Sequence, residues 1–336
     1  MFEPGRGTID PASIGGIAMP ARLSDRPGAR PSARPSARPA SCIALLAVAV
    51  TLASCTATEN PLSLGEASEH RVTVGSQGNP ENEILAQIYG QVLEQAGYSI
   101  TYEQAIGARV TFIAALEGGK LDLVPDYSGA LLYDLDSSAS ATSTADIGAA
   151  LPEALEPFGL VALAPSPADN GEAVVVAPAF AAATKVASIA DLAPLAPTIT
   201  IGARTGFDEQ YFGALEAKYG VVDLGFQGID GDGSARVADL IGDLVQVTSI
   251  SATSPLIAEN ELVVLDDTED LFVAHNVTPV INEDALTDEI EHLLNEVSAR
   301  LTTRELRGLN AFYAGPHKPT AAALARSWLV ANGLAR

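Results

Sequence analysis

The order of apolar runs in this sequence predicts an α/β protein of two lobes with mainly parallel sheets. Three observations carry that expectation. From Arg71 onward, short β-rich runs alternate with helical patterns, the order that produces a parallel sheet covered by helices. Nine such runs are present, enough for two sheets. The last stretch, from Leu286, shows only helical spacing.

The strand candidates in order are 72–75, 99–103, 121–125, 160–164, 173–177, 198–202, 245–250, 262–266 and 278–282. Between the first two, Ile84, Leu85, Ile88, Tyr89, Val92 and Leu93 recur at helical spacing. Asn79 suits the N-cap of that helix, Pro80 its first position, and Gly97 its end. A second helix runs through Val110, Ile113, Ala114 and Leu116 and stops at Gly118-Gly119. Near the C-terminus, Leu286, Ile290, Leu293, Leu294, Val297 and Leu301 form one apolar stripe. Thr302 with Glu305 reads as a capping box for the next helix, and a last helix from Ala321 to Leu329 carries Trp328. The chain is expected to fill lobe one with 71–172, lobe two with 173–274, and to return to lobe one with 275–336. Two crossing segments, near 170 and 275, would act as a hinge around a site where strand ends and helix N-termini converge.

The first 54 residues read as an address label. Arg26, Arg30, Arg34 and Arg38 precede an apolar stretch from Ile43 to Leu52. That stretch is too short to span a membrane, which takes about 20 residues, but suits a secretory signal. Leu52 to Cys55 reads LASC and resembles the lipobox of bacterial lipoproteins. Cys55 is therefore the expected lipidation site, anchoring the chain on the outer face of the cell membrane, with 55–70 as a tether.

Composition narrows the function classes. The 336 residues carry a net charge of −23. The first 54 hold six Arg and three acidic residues, so the remainder has 13 basic against 39 acidic groups. Such a surface repels nucleic acid and leaves room for a cationic or zwitterionic ligand. Cys42 and Cys55 both precede the folded part, and the four histidines show no ligand spacing, so no disulfide, metal site or cofactor is expected there. There is no G-x-S-x-G elbow, no H-E-x-x-H and no P-loop, so an enzyme is not expected.

Longer blocks say more. Residues 74–98, VGSQGNPENEILAQIYGQVLEQAGY, and 115–136, ALEGGKLDLVPDYSGALLYDLD, resemble the osmoprotectant-binding proteins of ABC importers, receptors for glycine betaine, choline and carnitine. Blocks at 255–267, 275–282 and 301–310 follow in the same order. The resemblance implies a two-lobe periplasmic-binding-protein-like fold of type II. It also implies a monomeric receptor that delivers a small solute to permease and ATPase subunits. A lipoprotein that reports a solute to a membrane sensor would share the fold. In the family a quaternary ammonium is held on aromatic faces by cation–π attraction.

Carried over residue by residue, the resemblance points to Tyr127 and Ser128 in the family's Tyr-Thr-Gly pattern, and to the loop Gln77, Gly78 and Asn79. Tyr127 also reads as a packed core residue, Asn79 as a plain cap, and Asp126 as a helix cap or a ligand contact. Where members carry rings, this chain has Asn170 and Glu172 at the first crossing, Ser251 and Thr253 after a lobe-two strand, and His275 and Asn276 at the second crossing. Glu172 reads either as an exposed crossover residue or as a counter-charge favouring choline. His275 reads as a hinge residue or a ligand contact.

Overall fold

The computed structural model describes residues 71–335; the basic leader, Cys55 and the tether lie outside them. The first part of lobe one runs β1 (Arg71–Gly75), α1 (Pro80–Gln95), β2 (Ser99–Glu103), α2 (Arg109–Glu117), β3 (Leu123–Tyr127), α3 (Ser128–Leu135), α4 (Thr144–Leu155) and β4 (Leu160–Ala162). Lobe two runs β5 (Glu172–Val176), α5 (Pro178–Thr184), β6 (Thr200–Ala203), α6 (Phe207–Tyr219), β7 (Gly225–Gly228), α7 (Ser234–Ile241), β8 (Val247–Ser251), α8 (Pro255–Glu259) and β9 (Val263–Val264). The return comprises β10 (Val277–Asn282), α9 (Asp288–Ser298), α10 (Thr303–Ala314) and α11 (Ala321–Ala331).

The sheets have the orders β2-β1-β3-β10-β4 and β7-β6-β8-β5-β9. In each, four strands run one way and one runs against them: β10 in the first sheet and β5 in the second. The reversed strand is in both cases the one the chain enters directly after crossing between lobes. A strand arriving straight across a hinge, with no helix to turn it round, meets its neighbours antiparallel.

All nine predicted runs contain strands. The tenth, β7, was not expected. Its sequence, Gly-Phe-Gln-Gly, has little β-pattern, and it is held at the sheet edge by parallel pairing of 225–228 with 200–203.

Alternation along the strands builds a core on both faces of each sheet. In β10, Val277 and Ile281 face the α1, α9 and α11 side, while Val280 packs with α2, α3 and α4. In β5, Val174 and Val176 face α6, and Ala173 and Val175 face α7 and α8. The central strands β3 and β10 are buried along their whole length, as a two-sided sheet requires. Each fully buried Val, Leu or Ile side chain contributes about 1.5–3 kcal/mol.

Local signals behave as the sequence dictates. Asn79 Oδ1 accepts from Asn82 N at 2.9 Å with Pro80 opening α1, and Thr302 and Glu305 close a reciprocal capping box on α10. The apolar face of α1 packs on α9 and α11, and Tyr89 in that face places its hydroxyl 3.0 Å from Ser298 Oγ. Among the described residues no helix is long and apolar enough to cross a membrane.

Candidate functional site

The chain passes between the lobes twice, and the two passages pair. Asp169 bridges Asn276 in antiparallel fashion, and Asn170 N donates to His275 O at 3.1 Å. Two glycines permit the tight packing here. A Cβ on Gly129, the glycine of the Tyr-Ser-Gly segment, would lie 2.3 Å from Ala274 O and 3.1 Å from His275 Nδ1. A Cβ on Gly171 would lie 2.8 Å from Asp169 Oδ1. The first turn of α3 is thus wedged against the second crossing, which only glycine allows.

On these crossings sits a cavity of about 330 Å³, at the low end of small-ligand pockets. Asn170, Gly171, Glu172, Val273 and His275 line it from the crossings. Arg204, Tyr211, Arg236, Ser251 and Phe272 line it from lobe two. Arg204 follows β6 and Arg236 lies in the first turn of α7, so both stand beyond the carboxyl ends of parallel strands, where open α/β sheets bind ligands. A larger depression of about 600 Å³ on α3 and α4 is walled mainly by alanines and leucines and has no cation among its lining groups.

The cavity's charges are mixed. Arg204 Cζ stands 5.9 Å from the Tyr211 ring centre, and that ring meets Phe272 edge-on at 5.0 Å. Burial raises the Tyr211 phenol above its ordinary value, with Glu172 adding to the shift and Arg204 opposing it. Tyr133 of α3 also acts on it from lobe one. Burial lowers the His275 imidazole below its ordinary value, against the pull of Asp169. His275 is therefore held toward the neutral form.

Lobe one beside the crossings is differently made. Asp126 is fully buried; its carboxylate accepts from Arg109 Nε at 2.6 Å, Arg109 Nη2 at 3.1 Å and Gln77 Nε2 at 3.0 Å. Arg109 also pairs with Asp134. Asp126 makes no helix cap, because it points back to Arg109 and the β1 loop, and α3 begins with no side-chain cap. Tyr127 is only 9% exposed; its hydroxyl donates to Glu81 and lies 2.9 Å from Asn82 Oδ1. Burial and the Glu81 carboxylate hold its phenol well above the ordinary value.

The other expected site residues divide into groups. Gln77 is half-buried on Asp126, while Gly78 and Asn79 are exposed at the start of α1. Ser128 is buried with its Oγ unpartnered, and its N–H donates to Asn276 O at 2.9 Å. Asn276 is buried, donating to Ser166 O and accepting from Thr144 Oγ1. Asn170 Oδ1 accepts from both Ser251 Oγ and Thr253 Oγ1. Thus Asn170, Glu172, Ser251 and His275 come together on the cavity, whereas Gln77, Gly78, Asn79, Tyr127, Ser128, Thr253 and Asn276 are not among its lining groups. Sequence reasoning passed over Arg204, Tyr211, Arg236 and Phe272. Position just beyond a strand's carboxyl end was the signal that would have found Arg204.

Known proteins share this fold. The family described as the substrate binding domain of ABC-type glycine betaine transport systems matches residues 70–331. The glycine betaine-binding protein YehZ of Escherichia coli strain K12 is 27% identical over 258 residues, spanning 72% of this chain and 85% of that protein. A glycine-betaine-binding protein of Pseudomonas aeruginosa is 24% identical over 288 residues, 76% of this chain and 86% of its own. The solved structure of apo YehZ has a TM-score of 0.69 at 25% identity, covering 79% of this chain and 99% of that one. A crystal structure described as a glycine betaine/carnitine/choline ABC transporter has a TM-score of 0.71 at 18% identity, covering 79% and 98%, and shows the shared fold. The two-lobe architecture and a family match running over almost all the described residues lead to one conclusion: this chain belongs to the substrate-binding domains of ABC-type glycine betaine transport systems.

Proposed function

We propose that this protein is the extracytoplasmic, lipid-anchored receptor of an importer that captures a small quaternary amine of the glycine betaine, choline or carnitine kind. The observation that carries the reading is the cavity on the paired crossings, where Glu172, two arginines and the Tyr211–Phe272 ring pair meet. A quaternary ammonium has no N–H to donate, so ring faces and a carboxylate are the groups suited to it. Lobe one (71–172 and 275–336) and lobe two (173–274) close on the solute about the crossings. The closed monomer then docks on permease and ATPase partners, held near the membrane through Cys55.

The experiment is calorimetric titration of the mature protein with glycine betaine, choline, carnitine and glucose, paired with small-angle scattering. At least one amine should bind, glucose should not, and the bound form should be more compact. Binding of glucose alone, or no compaction with a tight amine, would overturn the reading. A ligand that binds only the native state also raises its stability by RT ln(1 + [L]/Kd), about 2.7 kcal/mol at one hundred times Kd.

A further inference from the structure

We propose that α10 is the pin of the joint between the lobes, with Arg307 as the positioning residue that confines them to rotation about one line. This rests on the reading of the two lobes as closing on a solute.

The crossings alone make a loose joint. Residues 169–172 and 273–276 run side by side, paired through Asp169 and Asn276 and through Asn170 N to His275 O. Two adjacent segments that meet at one spot leave the lobes free to swing and to twist. A further attachment, set away from that spot, defines an axis.

Helix α10 supplies it. Thr303, Arg307 and Asn310 stand four and three residues apart, on one face of the helix. Each holds a different point along the joint. Thr303 Oγ1 accepts from Asp169 N at 3.0 Å, on the first crossing. Arg307 donates from Nε and Nη2 to Ala252 O at 2.9 and 2.7 Å, on lobe two. Asn310 Nδ2 donates to Thr253 O at 3.0 Å, also on lobe two, and to Glu81 of lobe one. With a rise of about 1.5 Å per residue, the row is about 10 Å long.

Both ends of each attachment are fixed. Leu306 and Leu309 sink α10 into the lobe-one core. Ala252 N donates to Gly171 O at 2.8 Å, which ties the residue that Arg307 holds back to the first crossing. Points this near the axis move little when the lobes turn, so the row survives closure and guides it. Arg307 is half-buried, and among the described residues no carboxylate pairs with it. Its charge goes instead to a main-chain carbonyl, and a bond from a charged donor is roughly twice as strong as a neutral one. That suits a joint held without a covalent link. Thr303, Arg307, Asn310, Ala252 and Thr253 are not among the cavity's lining groups. Their effect on a solute therefore runs through lobe motion and not through contact.

The test measures interlobe distance in the mature chain carrying Cys55→Ser. Spin labels sit on Glu117→Cys in lobe one and Ala217→Cys in lobe two, both exposed positions. Pulsed electron resonance is run without solute on the Arg307 parent, Arg307→Met and Arg307→Gln. Arg307→Met keeps the apolar stem and removes the donors, and it should broaden the distance distribution about twofold. Arg307→Gln should broaden it less, and it carries the test alone should Arg307→Met not fold. In calorimetry, Arg307→Met should weaken glycine betaine about three- to tenfold, because a looser receptor gives up more freedom on closing. The ratio of glycine betaine to choline affinity should not change. An unchanged distance distribution in the folded variant overturns the pin. So does tighter binding, which would make α10 a brake on closure. If neither amine binds the parent, the amine reading falls, and the solute-free distances still decide on the pin.

Discussion

The two lobes place their charges in opposite ways beside the crossings. On lobe one, Asp126 is wholly enclosed and its oxygens are taken by Arg109 and Gln77. Tyr127 beside it is tied to Glu81, which Asn310 of α10 also holds. On lobe two, Arg204 and Arg236 reach the cavity with no carboxylate partner among the described residues. The lobe-one network is complete without a ligand and the lobe-two arginines are not. Chemistry that is already satisfied sets the shape of a site; chemistry left open selects what enters it.

The largest expected effect tests that contrast through stability. Asp126→Ala removes the buried acceptor of a bidentate pair and leaves Arg109 with the exposed Asp134 alone. Breaking a buried pair costs about 3–5 kcal/mol, read as a lowered urea midpoint at constant slope. Arg236→Gln, on the other lobe, should stay within about 1 kcal/mol of wild type, since it removes an uncompensated charge. Equal losses in the two variants would erase the distinction between the lobes.

A middle-sized effect separates the two roles open to Tyr127. Tyr127→Phe keeps the ring and removes the hydroxyl from Glu81 and Asn82. Leaving the buried Glu81 short of a donor should cost about 1–3 kcal/mol. The Kd for glycine betaine should change less than about threefold. A collapse in affinity at unchanged stability would instead mean that the hydroxyl itself meets the solute.

How far the sequence could be read follows the range of the interactions. The cap of α1 at Asn79-Pro80 and the box of Thr302 with Glu305 act over three residues and were legible. So were the β-rich runs that became β5 and β10, and with them the crossings just ahead of each strand. The edge strand β7 was not, because its pairing is backbone-to-backbone and its side chains carry no pattern. Tyr127 was legible as a motif but not as a network member, since Glu81 lies 46 residues before it and Asn310 lies 229 residues from Glu81. Asp126 looked like a cap because it precedes a helix, and only the fold brings Arg109 to it. Arg236 was least legible of all. In the sequence it is an ordinary polar residue on a short helix, and its distinction is a partner it lacks in space.

The smallest effect concerns His275, where the two lobes meet. Its imidazole is pushed below the ordinary value of 6.5 by burial, with Asp169, Asp126 and Glu172 opposing and Arg109 assisting. Its Nδ1 is enclosed and unpartnered, so the neutral ring fits the site and the charged ring does not. In the unfolded chain the group takes up a proton as pH falls through its ordinary value, while in the folded chain it stays neutral to lower pH. The unfolded state therefore binds more protons in that window, and stability falls as pH drops from about 7 toward the depressed folded value. His275→Gln should remove this part of the pH dependence and leave the rest. Urea midpoints at pH 7.5 and 5.5 provide the comparison: the wild type should lose more between them than the variant does. If the variant loses as much, the ring is not held neutral at the junction of the lobes, and the crossing there is wetter than its packing against Gly129 implies.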